Sequence, residues 1–322
     1  MSKTRILIDP AHSGWVLGGL VREIAEERPD FFSPPKIVSN VRSIYLFYSI
    51  ILVLKLNFLR SPILFSSITP MENFLKFSKF NLNKKILLFT HQDGEFSTKV
   101  LSVIHKSDLI FVFSLSDKRK LQELGIKIPI VSFMGAIKTE LFQEISASRD
   151  KIAFIGTAVE RKNPNIFLEF AASHPQNKFK ILGKNWDKSH LWARMNSIKN
   201  IEYHEITSSV TSADLQDCSH HLMLSRTEGG PMTLIESVAA GLIPVCSETG
   251  IVREFLTEVG YPDQILKDPI EFDDISRKLK LSYSKHMVAN AVKIAKQYSI
   301  KRMANTFASE IDLNLNKVLR GI

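Results

Sequence analysis

Two glutamates, Glu228 and Glu236, stand with seven residues between them, and the gap opens with Gly229-Gly230-Pro231-Met232-Thr233. The segment follows an apolar run, His221–Leu224, that reads as a strand. It leads into a helical pattern that continues through Val238-Ala239-Ala240. A Gly-Gly-Pro turn entering a helix leaves backbone N–H groups free, and with the helix dipole they form an anion site. Two carboxylates bracketing such a turn could contact opposite ends of one ligand whose phosphates rest on it. The plainer alternative is a helix start with one capping acid and one solvated acid. A second constellation is Gly156-Thr157-Ala158-Val159-Glu160-Arg161-Lys162, after the strand pattern Lys151–Ile155. Taken alone, Arg161 and Lys162 read as a solvated pair.

Other residues are less specific. Pro10-Ala11-His12-Ser13-Gly14-Trp15-Val16-Leu17-Gly18-Gly19 reads as a glycine-bearing loop between a first strand and a first helix, where a ligand could approach the backbone closely. It lacks GxGxxG, the dinucleotide fingerprint. His91 follows a strand pattern, Lys85–Thr90, and is either structural or part of a site. The remaining histidines show no metal spacing, and Cys218 and Cys246 have no CxxC partners, so neither a zinc site nor a disulfide framework is expected. No metal is implied.

The elements that must position these residues alternate along the chain. In the first half strands are expected at Arg5–Asp9, Pro62–Phe65, Lys85–Thr90, Leu109–Ser114 and Ile130–Phe133. Helices are expected near Gly19–Glu27, Val41–Lys55, Pro70–Lys79, Thr98–Lys106 and Asp117–Leu124. Thr69-Pro70-Met71-Glu72 has the form of a capping box with Pro at the first helical position. In the second half strands are expected at Lys151–Ile155, Lys178–Leu182, Ile201–His204, His221–Leu224 and Leu242–Cys246. Helices follow near Asn163–Ser173, Asp187–Ile198, Leu234–Ala240 and Val252–Leu256, with a helical tail over Lys285–Leu319. Alternating strand and helix implies parallel sheets covered on both faces. Ligands of such folds sit outside the carboxyl ends of the strands.

Composition sets the outer bounds. The chain has 322 residues, 44% apolar and 23% charged, which suits two globular domains and excludes a disordered or collagen-like chain. Its net charge of +9 favours an anionic partner: nucleotide phosphates, nucleic acid or an anionic membrane surface. Met1–Arg5 runs straight into Ile6-Leu7-Ile8, too short for a secretion signal core. The run Ile44–Leu59 is interrupted by Ser49, Lys55 and Asn57, and falls short of the roughly 20 apolar residues of a membrane span. A cytoplasmic protein, soluble or at the inner face of the membrane, is the expectation. Phe74, Phe77 and Phe80, with Lys76, Lys79, Lys84 and Lys85 among and after them, fit either a helix packing into a core or a peripheral membrane contact.

The run from Glu228 through Pro244-Val245 resembles the signature of retaining GT-B glycosyltransferases, in particular the family 4 group (glycosyl transferases group 1). The shared features are Glu228-Gly229, the small turn Gly230–Thr233, Glu236, Ala239-Ala240, Gly241 and Pro244-Val245. Thr249-Gly250-Ile251-Val252-Arg253-Glu254 is similar to a following family segment whose proline is missing here. Phe154 to Pro164 resembles the opening of the family's second domain. Lys162 stands where the family Lys neutralises the donor diphosphate, and Thr157 stands where the family has Arg. Ile130–Phe142 resembles the interdomain segment, with Met134 and Lys138 in place of Asn and Asp.

The resemblance implies a GT-B fold of two facing Rossmann-like domains with an interdomain cleft. These would span 1–148 on the acceptor side and 149–300 on the nucleotide-sugar side. Residues 301–322 would form a C-terminal helix returning to the first domain. It further implies a metal-independent, retaining hexosyltransferase that uses a UDP- or GDP-sugar as co-substrate and no cofactor, in polysaccharide or glycolipid assembly. The acceptor would be a sugar, a glycolipid or a small molecule, and no nucleic acid is expected. Glu236 would hold the ribose hydroxyls, and Glu228 and His91 would lie beside the transferred sugar. Gly18, Gly19, Thr157, Arg161, Lys162, Gly229, Gly230, Pro231, Met232 and Thr233 would line the donor. The departures at Thr157, Met134 and Lys138 motivate a second reading, a catalytically silent nucleotide-sugar or partner-binding protein.

Overall fold

The computed structural model describes residues 3–8, 16–37, 52, 56, 61–77, 83–89, 96–143, 149–206 and 209–316. The chain folds as two compact units. One is Met1–Ala136 with Ile300–Ile322, and the other is Ile137–Ser299. The first unit therefore closes ahead of residue 148, and Ile137 pairs with Ser299 in a parallel bridge where the second unit begins and ends.

The first unit is built on a parallel sheet of β1 (Arg5–Ile8), β2 (Lys36–Ile37), β3 (Ile63–Phe65), β4 (Lys85–Phe89), β5 (Leu109–Val112) and β6 (Ile130–Ser132), in the order β2-β1-β3-β4-β5-β6. Ile-Leu-Phe in β3 and Leu-Ile-Phe-Val in β5 are buried throughout. Continuous apolar runs of this kind are what a sheet covered on both faces selects. The two-residue edge strand β2 carried no such signal and was not anticipated.

The helix Val16–Glu27 begins earlier than its expected start, so Gly18 and Gly19 lie in its first turn, not in a loop. Glycine in a helix costs conformational entropy and no hydrogen bond, which a helix of this length tolerates. The next described helix is Ile68–Phe77, which starts ahead of the expected capping box. Thr69 is inside the helix, and Pro70 is tolerated because the first turn needs no N–H donors. Phe74 is fully buried and packs on Phe65 at 5.3 Å between ring centroids. That side chain belongs to the core, which removes it from any membrane contact. The side chains of Phe77 and Phe80 lie outside the described residues, as does most of the helix expected at Val41–Lys55.

The tail forms two helices, Lys285–Ala295 and Ile300–Asn316. The second belongs to the first unit. Its Phe307 stacks on Phe111 of β5 at 4.1 Å and meets Phe133 edge-on at 4.7 Å. Arg28 donates to Asn305 Oδ1 at 2.9 Å.

The second unit carries β7 (Lys151–Ile155), β8 (Lys178–Gly183), β9 (Ile201–Glu205), β10 (Cys218–Met223), β11 (Ile243–Ser247) and β12 (Ile265–Leu266) in the order β12-β11-β10-β7-β8-β9, again parallel. Phe154, Phe167, Phe170, Phe179, Trp186 and Leu222 fill its core. The helix expected over Asp187–Ile198 is confined to Trp192–Ser197. The short helix Ser212–Leu215 and the helix Phe272–Leu279 were not anticipated. The strand order reverses between β7 and β10, which pair directly. After β7 the chain crosses to β8 through the helix Pro164–Ser173. After β10 it crosses to β11, on the other side, through the helix Met232–Ala239. Connections that diverge in this way leave a crevice at the strand ends, the usual ligand position in open α/β sheets.

Candidate active site

The connections leaving β7 and β10 carry most of the residues singled out in the sequence. After β7, Gly156 turns the chain at φ 151°, and its carbonyl accepts from Trp186 Nε1 at 2.8 Å. Glu160–Lys162 form one 3-10 turn, Asn163 adopts φ 51°, and Pro164 opens the helix at its first position. Proline pre-sets that helix start, while Asn tolerates the left-handed backbone and can bond locally. The Asn163 side chain donates to the Leu224 carbonyl at 2.8 Å. Arg226 N donates to the Arg161 carbonyl at 2.7 Å. These two bonds tie the connections together.

The tie brings three charges to one point. Glu228 Oε1 accepts from Arg161 Nη1 at 2.7 Å and from Lys162 Nζ. The Glu228 and Lys162 side chains are only 8% and 11% exposed. Burial works to raise the Glu228 carboxyl, but the charges of Lys162 and Arg161 outweigh it and hold the group below its ordinary value. Glu228 is therefore a carboxylate at neutral pH.

Beyond it, Gly229-Gly230-Pro231 leads to the helix Met232–Ala239, whose N-cap Pro231 supplies no capping side chain. The first turn holds no acid, and Leu234 N bonds the Pro231 carbonyl at 3.0 Å, so the turn presents the positive end of the helix dipole. The Thr233 hydroxyl in that turn is covered and has no partner among the described residues. Glu236, a turn further on, is buried at 8% exposure.

A third loop, after β11, braces this one. Glu228 N donates to Thr249 Oγ1 at 2.9 Å, and Ile251 N to the Gly229 carbonyl at 3.1 Å. Gly250 sits between at φ +55°, where an added Cβ would lie 2.1 Å from the Gly229 oxygen. Only a residue without Cβ fits there. Beneath the helix, His221 Nδ1 lies 2.9 Å from Ser237 Oγ. The Ser237 hydroxyl also lies within hydrogen-bond distance of the Leu234 carbonyl, at 2.9 Å. Burial, with Lys162 nearby, pushes His221 down to about 3, so the ring is neutral.

The structure thus gathers Glu228, Arg161, Lys162, Gly229, Gly230, Pro231, Met232, Thr233 and Glu236 on adjacent connections of one unit, with Thr157 on the connection after β7. Gly18 and Gly19 belong to the other unit, and His91 lies outside the described residues. Asn163, Thr249 and the His221–Ser237 pair were missed as supporting residues. The unusual Asn before Pro164 was the one signal among them. Among the described residues no group of three or more His, Cys, Asp or Glu side chains is placed to hold a metal ion. No described helix is long and apolar enough to cross a membrane.

Two parallel six-stranded units and a C-terminal helix returning to the first define a GT-B fold, the architecture of many glycosyltransferases. Solved structures agree. HepE from Anabaena, solved with UDP and glucose, is similar with a TM-score of 0.76 at 13% identity, covering 96% of this chain and 99% of that one. Its complex with UDP-glucose gives 0.75 at 14% identity, covering 95% and 98%. Sucrose-phosphate synthase from Thermosynechococcus elongatus gives 0.77 at 11% identity, covering 98% and 100%. Likeness at such low identity concerns the fold. No curated protein sequence matches the chain. The model of the glycosyl transferases group 1 family matches residues 138–299, half of the chain, and the chain belongs to that family.

Proposed function

We propose that this glycosyltransferase moves a hexose from a UDP- or GDP-sugar to an acceptor hydroxyl, with retention of anomeric configuration and without a metal. The observation that carries the reading is the convergence of Arg161, Lys162 and Glu228 beside the uncapped start of Met232–Ala239, with Glu236 a turn further along. Two cations and the positive end of a helix dipole suit a diphosphate that gains negative charge as it leaves. HepE was solved with UDP-glucose, which supports a nucleoside-diphosphate sugar as the donor here.

In the proposed reaction Glu236 holds the ribose hydroxyls. The Gly230–Thr233 backbone and Lys162 hold the diphosphate, with Arg161 in the place of the charge that Thr157 lacks. The bond between the anomeric carbon and the diphosphate breaks, and the acceptor oxygen bonds the same carbon from the same face. The acceptor proton passes to the departing phosphate oxygen, so no separate general base is required. Glu228 lies against the transferred sugar. Polysaccharide or glycolipid assembly at the inner face of the membrane is the proposed setting, with a sugar, a glycolipid or a small molecule as acceptor.

The test is a thermal-shift panel of UDP, GDP, ADP and their sugar conjugates on the wild type and Glu236→Ala. A ligand at one hundred times its dissociation constant stabilises the folded state by about 2.7 kcal/mol. A shift with one nucleotide that is lost in Glu236→Ala supports the reading. No shift with any of them overturns it. A second reading, a catalytically silent nucleotide-sugar binder, rests on Thr157 and on the commitment of both cations to Glu228. It predicts nucleotide binding with no transfer to any acceptor extract, whereas a retaining enzyme gives an α-linked product from an α-linked donor by NMR.

A further inference from the structure

The same oxygen, Glu228 Oε1, accepts from both cations proposed to hold the donor diphosphate. Resting on the proposed function, we propose that Glu228 is a built-in competitor for the diphosphate subsite: its carboxylate occupies Arg161 and Lys162 in the free protein, is displaced by the donor, and returns to drive the nucleoside diphosphate off after transfer.

Three features of the geometry support this. First, the carboxylate covers the ammonium. The Lys162 side chain is 11% exposed and that of Glu228 8%, so a phosphate has little open surface from which to reach Lys162 while Glu228 stays in place. Second, a carboxylate and a phosphate sharing one ammonium repel each other, and the repulsion is strong where water is excluded. Third, the backbone around Glu228 is held independently of its side chain. Glu228 N is fixed by Thr249 Oγ1 and the next carbonyl by Ile251 N. Rotation of the Glu228 side chain therefore leaves the turn unchanged. Arg161 is 34% exposed, so it can follow either anion.

One residue would thus take two positions in a cycle. Paired with the cations, Glu228 neutralises a buried ammonium that would otherwise be costly. Released by the donor, it is free to lie against the transferred sugar, the place proposed for it above. After transfer, its return replaces the contacts of the departing nucleotide with an intramolecular ion pair, which favours release.

The experiment is isothermal calorimetry of UDP, GDP and ADP, then of inorganic pyrophosphate and of the matching nucleoside, on the wild type and Glu228→Gln. The amide keeps the size and loses the charge. The expected result is binding of the preferred nucleotide and of pyrophosphate about tenfold tighter in Glu228→Gln, with the nucleoside unchanged. Diphosphate affinity equal to or below that of a nucleotide-binding wild type overturns the competitor role and leaves the proposed function standing. A wild type that binds none of the nucleotides overturns both. Glu228→Asp, which keeps the charge on a shorter arm, covers the case in which Gln disturbs folding. It is expected to tighten pyrophosphate binding in the same direction by a smaller factor, and unchanged or weaker binding there overturns the proposal as well.

Discussion

Glu236 and Glu228 have the same chemistry but different surroundings, and their substitutions should separate. Glu236 is buried on the helix, and the proposed function gives its carboxylate the neutral ribose hydroxyls. Charge-assisted hydrogen bonds of this type contribute roughly 1.5–3 kcal/mol, so Glu236→Ala should weaken nucleotide binding by about ten- to a hundredfold in calorimetry. Glu228 faces cations, and Glu228→Ala should lower kcat in a steady-state assay without weakening nucleotide binding. Equal effects of the two variants on both donor affinity and rate would contradict the assignment. At this scale the sequence was informative because glycine, proline and acids at fixed spacing are chemically distinctive. It did not reveal that both cations converge on Glu228, since Arg161 and Lys162 lie far from it along the chain. It offered the core as one of two places for Phe74 and the structure chose it, because a Phe-Lys pattern on a helix has the same period whether it faces a core or a membrane.

The elements carry the next set of expectations. The loops after β10 and β11 touch at Gly250, where an added Cβ would collide with backbone oxygen. Gly250→Ala should therefore lower stability in urea titration by about 1–3 kcal/mol and displace the Gly229–Thr233 turn, with loss of nucleotide binding. Strand β10 holds a half-buried imidazole, His220, pushed down to about 4, and a fully buried one, His221, pushed down to about 3, chiefly by loss of solvent. In the unfolded chain both return to about 6.5. Between these values the unfolded chain binds more protons, so stability falls as pH drops from about 6.5 and the fall ends near 3. The melting temperature should decline across that window, and His221→Leu should flatten part of the decline. An unchanged profile in the variant would show that His221 is not buried neutral. The strands were legible as elements because both faces of a parallel sheet select apolar residues. The exact helix starts at Val16 and Ile68 were not, because first-turn positions tolerate Gly, Pro and Thr alike.

Over the whole molecule, the C-terminal helix Ile300–Asn316 belongs to the unit formed by the start of the chain. Phe307 fills that unit's core against Phe111 and Phe133. Phe307→Ala should destabilise the first unit by about 3–5 kcal/mol, seen as an earlier transition in calorimetric unfolding. The nucleotide-induced shift of the second unit should persist. Loss of both would show that the units do not fold separately. The sequence by itself determined the alternation of strand and helix, the two-unit plan and the Glu228–Glu236 turn, because periodicity and local turn chemistry act over a few residues. Only the tertiary structure decided which loops meet. The reversal of strand order between β7 and β10 is a long-range pairing, set by how buried faces pack, and it is what brings Arg161 and Lys162 onto Glu228.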